Sequence, residues 1–365
     1  MTNQPIIKTI NGWRAVFALI IVLFHVGVAG LEEMTWLGVS FFFVASGFLL
    51  AKKYSFERLD GAGYGRFVGR HALKLYLLHW VALALWMIAK WAVGELTINP
   101  GTLAVNVALL QSWSLSHSVY FSYNQFSWFL STLLFCYLCF PLLSRWFMPL
   151  SMRYKLMILA ALALLDFLVL ADTDFYGRTA LYVFPPVRLI DFMIGMTLAQ
   201  GMDMLKKVPI VDLGKSKNGM DLELVSLALI SVAIMSFRSY PNLLPWSDAI
   251  IWWLPVAVIL MACYLYNKRE GFIGKALASR PMQWLGDISF EIFMLQDIGP
   301  VIYNYLVASV LAHFGITTWV NMVSNDLFGA GTDLLFWFII PIDVFLAWLV
   351  NRLITRPLNR LIKSW

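Results

Sequence analysis

The chain has 365 residues, of which 60% are hydrophobic and only 13% charged, against about 45–50% and about 25% in water-soluble domains. Apolar runs of about 17–25 residues recur along it, the length that crosses a hydrocarbon core, so a soluble globular protein is excluded. The formal net charge is +6, and the placement of that charge sets orientation, as described below, not affinity for nucleic acid.

The predicted fold is all-α: a polytopic integral membrane protein, one domain over 1–365, with ten transmembrane helices. The spans fall at 13–30, 36–51, 75–94, 126–144, 156–171, 180–203, 222–237, 247–266, 284–311 and 332–350. The first contains "RAVFALIIVLFH", an arginine followed by ten uncharged residues and then a histidine. Arg14 and His25 are eleven residues apart, which puts them within roughly 20° on one helix face and ~16 Å apart along the axis. Lys8 and Arg14 ahead of a run ending in "VGVAG" imitate a cleavable leader, but leaders rarely hold a histidine, so this stretch reads as a retained span. The second span carries "GVSFFFVASGFLL", in which Ser46 and Gly47 are expected to allow close approach beside His25.

The connection 52–74 contains "GAGYGR", which lacks the lysine of a phosphate cradle and reads as a flexible loop. Residues 95–125 hold "GTLAVNVALLQSW", expected as a short outer-face helix or re-entrant piece. "PPVRLIDFMIG" places Arg188 and Asp191 three apart, able to pair on one face. Glu291, Asp297 and Asp343 are further ionisable groups inside spans, where such groups are costly and rank as functional candidates. Cys136, Cys139 and Cys263 form no disulfide framework and no four-ligand zinc site; they read as apolar fillers, and no metal is expected.

Alternate connections are basic: Lys52, Lys53, Arg58, Arg66, Arg70 and Lys74; then Arg145, Arg153 and Lys155; then Lys206, Lys207, Lys215 and Lys217; then Lys268, Arg269, Lys275 and Arg280, with Arg352, Arg356, Arg360 and Lys363 at the end. The opposite connections carry Glu32, Glu33, Asp172, Asp174 and Asp326. The positive-inside rule then predicts that both termini are cytoplasmic. The lipid bilayer is the expected partner and nucleic acid is not.

For His25, the bland role is a hydrogen bond that glues two helices together. Arg14 on the same face and a basic mouth favour chemistry instead. A neutral imidazole is a competent general base near neutral pH, and the planar fork of an arginine suits phosphate. A transporter or flippase for a lipid-linked or small polar substrate is the rival reading, since intramembrane charges and Pro/Gly interruptions serve it too.

At these residues the chain resembles the acyltransferase-3 family of bacterial membrane acyltransferases. The R-x10-H opening matches Arg14 and His25, and "GVSFFFVASGF" (38–48) is similar to the family's G-V-D-x-F-F-x-x-S-G-F. Arg70 and Lys74 of "RHALKLYLL" occupy its basic R-x-x-x-R places, and "YFSYNQFSWFLS" resembles the W-S-L-S-V-E region, with Trp128 as its tryptophan. "VRLIDFMIGMTLA" matches the R-x-x-E-F-x-x-G helix through Arg188 and Asp191, and "WLGDISFEIFMLQD" the L-G-x-I-S-Y-x-x-Y-L-x-H stretch. Three places depart: Leu133 stands where the family has glutamate, Gln296 where it has histidine, and Ser40 where it has aspartate.

The resemblance implies about ten spans and an O-acetyltransferase of surface glycans in the bacterial inner membrane. It moves an acyl group from cytoplasmic acyl-CoA, expected to be acetyl-CoA, to a hydroxyl of a polysaccharide or lipid-linked glycan, with no permanently bound cofactor. His25 would be the base and Ser46 or a backbone N–H the oxyanion donor. Arg14, Arg70 and Lys74 would hold the donor's phosphates, and Trp128, Arg188, Asp191 and Gln296 would contact substrate.

Overall fold

The computed structural model describes residues 8–56, 60–171, 175–205, 219–239, 250–265, 271–314 and 336–363. Within them every regular element is helical and there is no strand. Four of these helices, Lys8–His25, Glu32–Lys53, Gly61–Ala92 and Gln125–Trp146 (with its leading 3-10 turn), are long and apolar enough to cross a membrane. Several residues behind the predicted orientation lie outside the described residues: Arg58, Asp172, Asp174, Lys206, Lys207, Lys215, Lys217, Lys268, Arg269 and Asp326, as do 247–249, 266 and 332–335 of the predicted spans.

Helix α1 is Lys8–His25, so it begins earlier and stops sooner than 13–30. Gly27 sets the stop, at φ +99. Its N–H donates to the Phe24 carbonyl at 3.0 Å, and the Val28 N–H to the Leu23 carbonyl at 3.0 Å. This paired closure satisfies the last carbonyls and needs a left-handed residue, which glycine adopts without a Cβ penalty. His25 is therefore the last helical residue.

Helix α2, Glu32–Lys53, returns antiparallel, and Phe17 and Phe41 pack with ring centroids 4.9 Å apart. Helix α3 is Gly61–Ala92, and here the structure corrects a sequence expectation: "GAGYGR" is helical, not a loop. The Asp60 side chain accepts the Gly63 N–H at 3.0 Å, supplying an N-cap that offsets the poor helix propensity of three glycines. A helix of 32 residues is ~48 Å long against a core of ~30 Å, so part of α3 stands clear of the hydrocarbon.

The segment 95–125 contains α4 (Pro100–Val107) and α5 (His117–Tyr120). The expected short helix therefore stops at Val107, where Leu109 turns the chain at φ 53. Beneath it His79 Nε2 donates to the Asn106 carbonyl at 2.8 Å, and Asn106 Nδ2 to the Ser122 carbonyl at 2.9 Å. These bonds fix the cap over α6, Trp128–Trp146.

After α7 (Met152–Ala171) the predicted span 180–203 is two helices, α8 (Phe175–Val183) and α9 (Pro185–Leu205). Pro185 and Pro186 lack N–H groups and push the preceding residue out of the helical region, which enforces the break. Helix α9 lies directly on α2: a Cβ added at Gly47 would collide with the Phe192 carbonyl, and one at Gly195 with the Val44 carbonyl. Two backbones meet here because neither glycine has a side chain.

Helices α10 (Gly219–Ser239), α11 (Trp253–Leu265) and α12 (Phe272–Leu277) follow. The predicted span 284–311 is then broken into α13 (Arg280–Asp287), α14 (Ser289–Leu295) and α15 (Ile298–His313). Side chains from elsewhere hold the breaks open. Asn11 Nδ2 donates to the Gln283 carbonyl at 3.2 Å and to Asp287 Oδ1 at 3.0 Å, and Asn124 Nδ2 donates to the Met294 carbonyl at 2.8 Å. The chain closes with α16 (Phe336–Val350), a π turn at Asn351–Thr355 and α17 (Arg356–Lys363). The α1, α2, α6 and α14 faces share an aromatic core of Phe17, Phe41, Phe42, Phe129, Phe290 and Phe293.

Candidate functional site

Both Arg14 and His25 stand on the uninterrupted helix α1. At the end of that helix, His25 Nδ1 is 2.7 Å from the Ile21 carbonyl oxygen. A carbonyl only accepts, so Nδ1 carries the proton and Nε2 keeps its lone pair. The ring is half-buried, with Phe126 edge-on at 4.7 Å and Phe24 at 5.0 Å. Phe126 lies in the turn that precedes α6, and its neighbours Asn124 and Gln125 tie that turn to the α14–α15 break. Gln125 Nε2 donates to Asp297 Oδ1 at 3.1 Å, next to Gln296, which is 2% exposed. Gln296 Nε2 donates to the Phe293 carbonyl at 3.0 Å. Its Oε1 has no partner among the described residues.

At the other end of α1, Arg14 Nη1 donates to Asn11 Oδ1 at 3.3 Å, and the guanidinium lies 4.9 Å from the Phe290 ring centroid. Tyr137, Glu291 and Asp287 are close enough to act on its charge. Asn351 Nδ2 donates to Glu291 Oε1 at 2.8 Å, so the π turn after α16 orients that carboxylate.

Ser46 belongs to this end and not beside His25. Phe41 of α2 is level with Phe17 of α1, and Ser46 lies further toward the Arg14 level because the two helices run opposite ways. Its hydroxyl donates to the Phe42 carbonyl at 2.7 Å and lies close enough to Tyr137 to act on it. With its one proton engaged by Phe42, Ser46 has none to offer an oxyanion in this arrangement.

Tyr137 connects this group to α3. Its ring is 5.2 Å from that of His71, whose Nδ1 donates to the Phe67 carbonyl at 2.7 Å. Arg70, Lys74 and Lys53 all act on the His71 ring, and Arg70 Nε has no hydrogen-bond partner among the described residues. The structure thus brings Arg70, Lys74, Arg14 and Ser46 into one group joined by Tyr137 and His71, with His25 a helix length away.

The acyltransferase-3 family model, described as an acyltransferase domain, matches residues 7–352. The chain belongs to this acyltransferase family. Four of its described helices are long and apolar enough to cross a membrane. The acyltransferase MdmB of Streptomyces mycarofaciens is 29% identical to it over 195 residues, a match that covers 48% of this chain and 49% of that relative. The match thus spans about half the length of the relative. No solved structure matches.

In this family member the remaining predicted contacts form a second, separate cluster. Arg188 Nη1 meets Asp191 Oδ2 at 3.0 Å, both side chains fully buried, and Trp253 Nε1 donates to the other oxygen of Asp191. Arg188 Nε donates to the Tyr182 carbonyl at 2.7 Å, and its guanidinium lies 4.2 Å over the Tyr182 ring. Trp128 packs on that ring at 5.1 Å. With Arg188 and Asp191 fully buried at its centre, this cluster fastens α6, α8, α9 and α11 together.

Sequence reading missed Tyr137 and His71. The only signals were a tyrosine between two cysteines in "CYLC" and the histidine inside "RHALK". Neither shows that the two rings meet.

Proposed function

We propose that this membrane acyltransferase moves an acetyl group from cytoplasmic acetyl-CoA to a hydroxyl of a cell-surface polysaccharide or lipid-linked glycan, in the bacterial inner membrane with both termini cytoplasmic. The observation that carries the reading is the His25 tautomer, fixed by the Ile21 carbonyl with Nε2 left as acceptor.

Arg70 and Lys74 receive the nucleotide phosphates of the donor, since fixed cations bind phosphate oxygens strongly. The flexible arm then passes Arg14 and Tyr137 and runs along α1, where the ~16 Å to His25 matches its reach. His25 Nε2 takes the proton of the acceptor hydroxyl, and the oxygen attacks the thioester carbonyl. The C–S bond breaks, and the proton returns from His25 to the departing sulfur, leaving the acetyl ester and free CoA. A backbone N–H near the His25 end serves as oxyanion donor, the role that the engaged Ser46 hydroxyl does not fill. Gln296 and the neighbouring Asp297 orient the acceptor.

The test is transfer from radiolabelled acetyl-CoA by purified protein, combined with mass spectrometry of surface glycans from cells with and without the gene. A matching loss of one acetyl modification supports the reading. Unaltered glycans and no transfer to any glycan acceptor overturn it.

A further inference from the structure

A cavity of about 400 Å³ opens where α2, α6 and α9 end together, lined by Lys52, Tyr54, Ser55, Arg145, Gln200 and Asp203. It lies apart from the Arg14–His25 line, and no role above uses it. Its volume is within the range of small-ligand sites.

The lining is rich in donors. Lys52 Nζ is held by the Asp203 carboxylate and by the Tyr264 hydroxyl at 2.5 Å. Lys155, fully buried behind the wall, donates to the Met148 carbonyl at 2.6 Å and to Gln200 Oε1. The oxygen of Gln200 is thereby occupied, and its NH₂ is the end left to serve the cavity. Arg145 is exposed and makes no ion pair or hydrogen bond with any described residue. Two lining cations, Lys52 and Arg145, thus stand against one lining carboxylate, Asp203, so the lining carries a net positive charge. Met148, Pro149 and Ala199 complete the wall with apolar surface.

Exposed aromatic residues stand at the same level: Trp146 is 63% and Tyr154 58% exposed, as at a membrane–water interface. Below them α7 turns Leu156 and Met157 outward. A donor-lined, positive, apolar-backed cavity at that level suits a tetrahedral oxyanion attached to a less polar body.

We propose that this cavity is a phosphate-ester site, with Arg145 as its principal contact and Lys52, Ser55 and the Gln200 amide around it. Two carriers present that chemistry here: the headgroup of an anionic phospholipid and the phosphates of a soluble nucleotide.

The test uses the full-length protein in nanodiscs. Phosphatidylglycerol retained from mixed phosphatidylglycerol–phosphatidylcholine discs is counted by native mass spectrometry. Adenosine 3′,5′-bisphosphate is titrated calorimetrically in phosphatidylcholine discs. Arg145→Gln removes a group that bonds to no other described residue, and should weaken one or both probes about 10–100-fold, as expected for a lost charge-assisted contact. Ser55→Asp, at an exposed position, should weaken the same probe by charge repulsion. Arg153→Gln, outside the cavity, should stay within about twofold, as surface charges do. Loss confined to phosphatidylglycerol identifies the lipid, and loss confined to the bisphosphate identifies the nucleotide. If wild type binds neither probe, or if Arg145→Gln and Ser55→Asp bind both as wild type does, the proposal is overturned. Arg70→Gln separates this site from the donor site proposed above: it should weaken the bisphosphate there and leave phosphatidylglycerol retention at the cavity unchanged.

Discussion

Arg188 and Asp191 meet at 3.0 Å on α9 with neither side chain exposed. Removing one charge leaves the other buried in low dielectric, a loss of about 3–5 kcal/mol, whereas removing both is far less costly. Arg188→Ala should therefore give less folded protein in detergent than Arg188→Ala combined with Asp191→Met. Monodisperse yield by size-exclusion chromatography reads the difference, and equal yields would show that the pair contributes nothing.

The two ends of α1 should fail in different assays. His25→Gln keeps size and hydrogen bonding but removes the titrating nitrogen, so transfer should drop about 10²–10⁴-fold while CoA still binds. Arg14→Gln should weaken CoA binding about 10–100-fold by loss of a charge-assisted contact. Calorimetry with CoA and transfer assays on the same preparations separate the two.

Tyr137→Phe keeps the ring against His71 but removes the hydroxyl that stands near Ser46 and Arg14. The KM for the acyl donor should rise about 2–10-fold, the equivalent of one ordinary hydrogen bond, with kcat little changed. A fall in kcat at constant KM would move Tyr137 from donor positioning to the chemical step.

At Gly27 an added Cβ meets no heavy atom within 4 Å, so substitution there reports backbone conformation alone. Gly27→Val should cost about 1–2 kcal/mol and Gly27→Asn less, because asparagine tolerates the left-handed region. Thermal unfolding in detergent measures the order, and transfer should fall in the same order because the turn carries His25.

Orientation is open to direct labelling. In a background without Cys136, Cys139 and Cys263, a cysteine replacing the exposed Ser116 should react with an impermeant thiol reagent added outside cells. One replacing the exposed Arg153 should be protected. Equal labelling would remove the alternating topology.

Periodicity and charge made the helices and the polar face of α1 legible in the sequence, since both depend on spacing within a single element. The Pro185–Pro186 break was also local, although the apolar run across it concealed the interruption. By contrast, the breaks in 284–311 are made by Asn11 and Asn124, more than 150 residues away, and no window of sequence contains such a contact. The same reason hid Tyr137: its role comes from Ser46, His71 and Arg14, each on a different helix. Ser46 was drawn to His25 by motif order alone, and the antiparallel run of α2 carries it to the opposite end.

The Asn11–Asp287 bond joins residues 276 positions apart, and Glu291 is held by Asn351, another 60 positions on. At about 5–20 residues per second, roughly 15–60 s separate the synthesis of α1 from that of the groups that settle its polar end. Until the final helix is inserted, Arg14 lies beside an unfinished wall. A chain truncated before Asn351 therefore lacks the amide that orients Glu291, one of the two carboxylates acting on the Arg14 charge.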